Sequence, residues 1–237
     1  MKLDLRNKLV NEEGYHLYEK LIPSFYITDL NKRLLELYPV RASSSDKIYA
    51  EKDDIKNLPD ISVWWSQTVE NFPEVTKIKR IIDPIVLSAF PKLQFYASDI
   101  VTINKGSKWI SPHVDTPHRF AKYNFDKRLL GIQCIVSLSN IDSNSASTGL
   151  VPYSQKRDFE INKCYTGHFD RWFLDNVKQH NMPKGSLLLY NCRVLHSSMP
   201  NPTSIDRPAL LLNYLDTSIV KDIAAVDNVW SSNGKRP

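Results

Sequence analysis

The stretch Pro183-Lys184-Gly185-Ser186-Leu187-Leu188-Leu189-Tyr190-Asn191-Cys192-Arg193-Val194-Leu195-His196 carries the decisive pattern. A Pro-Lys-Gly turn signal opens it, four apolar or aromatic residues come next, and a histidine closes it, which reads as a short strand delivering an imidazole to its far end. Similar runs occur on either side: 94–104, 108–114, 129–138, 149–153, 186–191 and 209–215. Turn signals such as Lys105-Gly106-Ser107 and Asn144-Ser145 separate most of them. Many short strands without regular intervening helices favour an antiparallel sandwich or jelly roll over a doubly wound parallel sheet. One helical insertion, around Phe169 to Gln179, interrupts the series.

The first ninety residues read mainly as helix. Asn11 is placed to cap a segment with Tyr15, His16, Tyr18, Leu21 and Ile22 before Pro23, and Asp29 to cap another carrying Leu34, Leu35 and Leu37 before Pro39. A third pattern starts after Pro73, runs through Val75, Ile78, Ile81 and Ile82, and is bent by Pro84. The reading is thus a single domain over 1–237: a helical support layer over 1–92, a jelly-roll core over 93–220 with its insertion near 168–180, and a tail over 221–237. A length of 237 residues suits one core, and 42% hydrophobic with 24% charged residues is a globular composition.

No apolar run reaches the roughly 18 residues of a membrane helix, and the start lacks a signal-like apolar core. Cys134, Cys164 and Cys192 lie far apart with no C-x-x-C pair, so a reducing, cytoplasmic setting is expected, with the thiols as core or bystander groups. The net charge of +5 raises the question of a nucleic-acid partner. No long basic tract, zinc-finger spacing or RNA-binding aromatic pattern supports sequence-specific binding.

Six histidines are the place to look for chemistry. His16 and His180 read as surface residues. Ser111-Pro112-His113-Val114-Asp115 sets an imidazole and a carboxylate two positions apart at a strand end, on one side of the pleat, where both could hold one metal. An isolated H-x-D is a weak motif, and His168-Phe169-Asp170 is a second copy. The first copy is set apart by its downstream partners: His196 just past the Leu187–Tyr190 run, then Arg207 before Ala209-Leu210-Leu211-Leu212. Two histidines and one carboxylate make the facial triad of non-haem Fe(II) oxygenases, which leaves coordination positions open for co-substrate and O₂. A guanidinium nearby offers a fixed fork to the distal carboxylate of 2-oxoglutarate.

On these residues the chain resembles the phytanoyl-CoA dioxygenase-like Fe(II)/2-oxoglutarate-dependent oxygenases, over about Gln94 to Leu215 and most closely from Gly185 to Tyr214. The resemblance implies a double-stranded β-helix (jelly roll) with His113, Asp115 and His196 as iron ligands and Arg207 as the 2-oxoglutarate anchor. It also implies that Ser198 assists that anchor and that Gln133 lines the co-substrate pocket. The implied reaction hydroxylates a C–H bond of a small substrate and releases succinate and CO₂. Halogenation is disfavoured because relatives that halogenate lack the carboxylate ligand, and Asp115 is present. Two departures stand out. Thr148-Gly149-Leu150-Val151-Pro152-Tyr153-Ser154-Gln155 has Tyr153 and Gln155 where the family usually has glycine and histidine, and Ser186 replaces an aspartate.

Trp109 and Trp172 read as core or pocket walls. His118, Arg119, Lys122, Lys127 and Arg128, opposed by Asp126, come soon after the first two ligands and suggest an anionic substrate drawn to the pocket mouth. A non-catalytic jelly-roll binding protein, or an oxygenase acting on nucleic acid or protein, remains as the alternative.

Overall fold

The computed structural model describes residues 2–37, 64–103, 105–107, 110–118, 121–123, 125–142, 146–158, 160, 163–164 and 166–223. The helices are α1 (Lys2–Val10), α2 (Ser24–Leu37), α3 (Pro73–Ala89) and α4 (Asp170–Asn176). The strands are β1 (Tyr15–Tyr18), β2 (Trp64–Thr68), β3 (Leu93–Ile103), β4 (Gly131–Ser137), β5 (Thr148–Leu150), β6 (Leu187–Asn191), β7 (His196–Ser198) and β8 (Arg207–Asp216). They form a six-stranded sheet in the order β1-β6-β4-β8-β3-β2 and a two-stranded sheet β5-β7, antiparallel throughout. This is the expected jelly-roll class, and the large sheet does not close into a barrel.

The unbroken apolar run of β6 has a simple cause: the sheet is covered on both faces, so successive side chains enter different cores. Leu187 and Leu189 join Cys134, Val136, Leu210 and Leu212 in a core filled from above by Leu5 and Leu9 of α1, Ile27, Leu30 and Leu34 of α2, and Val75, Ile78 and Ile82 of α3. Leu188 and Tyr190 face the other way, into a second core with Tyr15, Ile135, Leu150, Val194 and Ala209. The functional side of the sheet is therefore the side opposite the helices.

The N-terminal reading needs two corrections. Asn11 ends a helix instead of starting one: the N–H groups of Asn11 and Glu12 both reach Asn7 O, Gly14 N reaches Lys8 O, and Gly14 sits at φ 89°. The chain then leaves as β1, pairing Tyr15 with Tyr190 and Tyr18 with Leu187, so His16 lies on a strand. Tyr15 and Tyr18 fit a helical and an alternating period equally well, and the glycine decides between them. The second helix starts at Ser24, not at Asp29; it buries Ile27, Leu30 and Leu34 and leaves Leu35 and Leu37 exposed. Pro39 and Ser43–Ser45 lie outside the described residues. Strand β2, on a stretch to which no element was assigned, pairs with β3.

The third helix agrees with expectation, with Pro73 in its first turn and Pro84 inside it. Likewise, 94–104, 129–138, 149–153, 186–191 and 209–215 fall on β3, β4, β5, β6 and β8. Of the run 108–114, residues 108–109, with Trp109, lie outside the described residues; from Ile110 onward there is no regular strand, only an isolated bridge at His113 and a backbone bond from Ile110 N to Ser198 O. Pro112 has no N–H to continue a ladder. Among the described residues, no helix is long and apolar enough to cross a membrane.

The turn into β6 depends on Gly185. It sits at φ 85°, its N–H bonds Ser137 O, its carbonyl accepts from Ile22 N, and a Cβ there would run into the Ile22 carbonyl. Gly185→Ala is expected to cost about 1–3 kcal/mol in backbone strain alone, with the clash adding to it. A urea midpoint that fell with an unchanged slope would show this. An unmoved midpoint would mean that the turn tolerates a side chain.

Candidate metal centre

His113 and His196 are brought together by backbone. They face each other across an antiparallel bridge in which His113 N donates to His196 O and His196 N donates to His113 O, each at 2.9 Å. Their ring centroids are 4.3 Å apart. Two residues on, Asp115 N donates to Cys192 O at 2.9 Å, which carries the carboxylate over the end of β6. There Asp115 Oδ2 lies 3.4 Å from His196 Nε2. One ligand atom from each of His113, Asp115 and His196 falls within 4.8 Å of the others, and among the described residues this is the group of metal-ligating type that the fold assembles.

Each imidazole is oriented by the carbonyl two residues before it. His113 Nδ1 is 3.1 Å from Ser111 O, and His196 Nδ1 is 3.0 Å from Val194 O. A carbonyl only accepts, so each Nδ1 carries the proton and each Nε2 presents a lone pair. With both rings neutral, acceptor atoms therefore converge here, His196 Nε2 facing the Asp115 carboxylate. Acceptors facing one another call for a cation, and this donor set fits a divalent transition metal.

Arg207, the expected 2-oxoglutarate anchor, is equally telling. Arg207 opens β8, is buried, and its Nη2 donates to Thr148 Oγ1 at 3.4 Å, while its Nε has no partner. No carboxylate pairs with it among the described residues. Burial lowers its pKa from 12.5 to about 10, so it remains a cation at neutral pH. A buried cation with unmet donors is stable only if something anionic completes it. Ser198 sits opposite Thr148 in the β5-β7 register, and the hydroxyl that Arg207 touches is that of Thr148, which the sequence reading missed. Gln133 lies on the same sheet face, beside Tyr190 on β6 and Asn213 on β8, and its Oε1 accepts from Asn213 Nδ2 at 2.9 Å.

Other candidates stay outside. His168 is exposed and Asp170 opens α4, so the second H-x-D is not part of the group. His180 packs against Tyr15 and His16 meets Tyr18 edge-on, both half-buried and outside the ligand group. Trp172 packs beside Phe173 and Leu195 with Arg157 over its ring. The three cysteines are buried and unpaired, and burial pushes the Cys134 and Cys192 thiols well up, away from reactivity.

The departures from the family pattern have structural uses. Tyr153 takes the left-handed conformation, φ 62°, at the position where the family has glycine. Gln155 Nε2 donates to Glu12 O at 2.8 Å, bracing the turn before β1. Ser186 Oγ donates to Pro183 O at 2.6 Å and accepts from Lys20 N. Arg193, which the sequence reading passed over, is buried and donates from Nε to Gln155 O at 2.9 Å and from Nη2 to Arg157 O at 2.6 Å. It fastens this loop to the turn that carries His196.

Comparison with known proteins agrees with this geometry. The profile of the family described as phytanoyl-CoA dioxygenase matches residues 10–209. No curated protein matches the sequence. Among solved structures, the non-heme alpha ketoglutarate dependent epimerase SnoN from nogalamycin biosynthesis superposes with a TM-score of 0.67 at 13% identity, over 91% of this chain and 80% of that one. EctD from S. alaskensis with bound Fe gives 0.69 at 14% identity, over 90% of this chain and 76% of its own. EvdO2 from Micromonospora carbonacea var. aurantiaca, complexed with 2-oxoglutarate, gives 0.64 at 13%, over 90% of both chains. At such identities these likenesses speak to the fold.

The basic segment after the ligands is less charged than its composition suggests. Lys122 pairs with Asp222, Lys127 with Asp158 at 3.2 Å, and Arg128 with Asp126 at 2.5 Å; Arg119 lies outside the described residues. His118 is buried, with Nδ1 3.1 Å from Tyr123 O and Nε2 without a partner, so it is the neutral tautomer. Burial lowers its pKa from 6.5 to about 4. Below pH 6.5 the unfolded chain takes up a proton that the folded chain refuses until about pH 4, so stability falls with pH across that window, by about 3 kcal/mol in all. The stability advantage of the parent over His118→Gln should therefore shrink between pH 7 and pH 4.5. Parallel curves would exclude His118 as the buried titrating group.

Proposed function

The chain belongs to the phytanoyl-CoA dioxygenase family and so to the non-haem Fe(II)/2-oxoglutarate-dependent oxygenases, and from that premise we propose that it hydroxylates a C–H bond of a small-molecule substrate, releasing succinate and CO₂. His113, Asp115 and His196 hold Fe(II), and Arg207, with Thr148 beside it, holds the distal carboxylate of 2-oxoglutarate. The observation that carries this reading is the convergence of one ligand atom from each of His113, Asp115 and His196, all within 4.8 Å of one another. The same convergence argues against a non-catalytic binding protein, which has no need of a complete ligand set.

Iron bound there supplies the oxidising chemistry that spends 2-oxoglutarate and O₂ on the substrate. The chain's residues do the rest. The backbone bridge fixes the two imidazoles, the carbonyls of Ser111 and Val194 keep their lone pairs facing inward, and three protein ligands leave open positions for co-substrate and O₂. The buried Arg207 fork selects a ligand with a carboxylate, because an uncharged analogue would leave the guanidinium uncompensated. Ser198 and Gln133 complete the walls of this pocket in the proposal. For an anionic prime substrate the support is thin, since Lys122, Lys127 and Arg128 are already neutralised.

Anaerobic addition of Fe(II) and 2-oxoglutarate is expected to give a weak visible charge-transfer band that His113→Ala and His196→Ala abolish. A full band and turnover in either variant would refute the ligand assignment. Admission of O₂ with candidate metabolites should release succinate and add one oxygen atom to the product.

Arg207→Lys should keep iron and weaken 2-oxoglutarate by about 1.5–3 kcal/mol, as a point charge replaces a two-pronged donor. Equal 2-oxoglutarate affinity in the two proteins, measured by titrating the band, would move the anchor elsewhere.

A further inference from the structure

Alternation along β6 sends Tyr190 to the functional side of the sheet, where the neighbouring Leu188 is simply apolar filling. Tyr190 is 2% exposed, and its hydroxyl does not rest against ordinary core. It donates to Asp115 Oδ2 at 2.8 Å and lies 3.3 Å from His196 Nε2. Its ring centroid is 4.8 Å from that of His196. Both nearby atoms are acceptors, and the single phenolic proton goes to the shorter, charged partner.

That bond has a consequence for the carboxylate. The terminal torsion of aspartate is broad and roughly two-fold, so an unrestrained Asp115 could turn and offer a metal both oxygens. The backbone of Asp115 is already tied to Cys192 O, and the phenol adds a second restraint at the carboxylate itself. With one lone pair of Oδ2 occupied and the rotation fixed, the carboxylate presents a single oxygen to the ligand set. A one-oxygen carboxylate keeps open the positions that co-substrate and O₂ require. The sequence reading had no signal for this, since a Leu-Leu-Leu-Tyr run looks like core throughout.

We infer that Tyr190 is a positioning residue of the metal centre, acting through Asp115 to hold it as a one-oxygen ligand. This rests on the iron reading above. Outer partners of metal ligands commonly set affinity by 10–100-fold, which gives the expected size of the effect.

The test uses the full chain with Co(II), added anaerobically to the metal-free protein as a spectroscopic probe, and needs no turnover. Tyr190→Phe removes only the oxygen and should weaken Co(II) about 10–100-fold, with a shift of the visible ligand-field bands as the carboxylate becomes free to turn. In an Asp115→Ala background the same substitution should change Co(II) affinity less than about twofold, because coupling between residues in contact vanishes once one of them is gone. Tyr190→Leu, matching the leucines of the same strand, must reproduce the loss should Tyr190→Phe prove hard to fold. Unchanged affinity and bands in the single variants, or an equal loss without Asp115, would overturn the inference while leaving the iron site standing. A parent protein that binds neither Fe(II) nor Co(II) would instead overturn the iron reading, and this inference with it.

Discussion

The site rests on one reciprocal pair of backbone hydrogen bonds, between His113 and His196. Neither residue could be held by local sequence alone: one lies in an irregular segment after Pro112, the other on the three-residue strand β7. A short strand is weak in isolation, and its position is set by pairing with β5 on one side and by this bridge on the other. Because the bonds are between main-chain atoms, the two imidazoles are placed without spending either ring nitrogen. Both Nδ1 atoms remain available to the carbonyls that fix their tautomers, and both Nε2 atoms to a metal.

Rigidity around that bridge comes from burial on both faces of the large sheet. The helices of the N-terminal half close one face, as the leucines and isoleucines of α2 and α3 show, and the β5-β7 side closes the other. A sheet so enclosed excludes water from the side chains projecting between the layers. Arg207 is the clearest case: buried, cationic and, among the described residues, bonded to Thr148. In water such a guanidinium would attract any anion weakly, whereas in this setting its interaction with a carboxylate is strong and directional.

How far the sequence was legible depends on which interactions are local. The strands of the core, the Pro73–Ala89 helix and the triad could be read because alternation, proline placement and the order of the two histidines, the carboxylate and the arginine are properties of the chain itself. The reading failed where a nonlocal partner decides. Tyr15–Tyr18 is a strand because Leu187–Tyr190 offers it a ladder, and 110–114 is not one because Pro112 interrupts. Thr148 and Tyr190 were missed for the same reason: a threonine and a tyrosine in apolar surroundings look like packing until the fold sets them against Arg207 and Asp115. The basic segment was misjudged because Asp158 and Asp222, which neutralise it, lie far along the chain.

Two groupings at the site carry an electrostatic cost that apolar residues would have avoided: acceptors converging between His113, Asp115 and His196, and a buried cation at Arg207. Asp115 accepts a hydrogen bond from Tyr190 and Arg207 donates one to Thr148, and neither contact brings an opposite charge. A cation at the first position and a carboxylate at the second would relieve both, and a ligand bearing a metal-chelating end and a distal carboxylate relieves them together. By linkage, whatever binds only the folded chain stabilises it in proportion to its affinity, so metal and co-substrate become part of what holds these layers in register. Under the proposed function, the features that make the site expensive as structure are the ones that would make it selective for iron and a dicarboxylate.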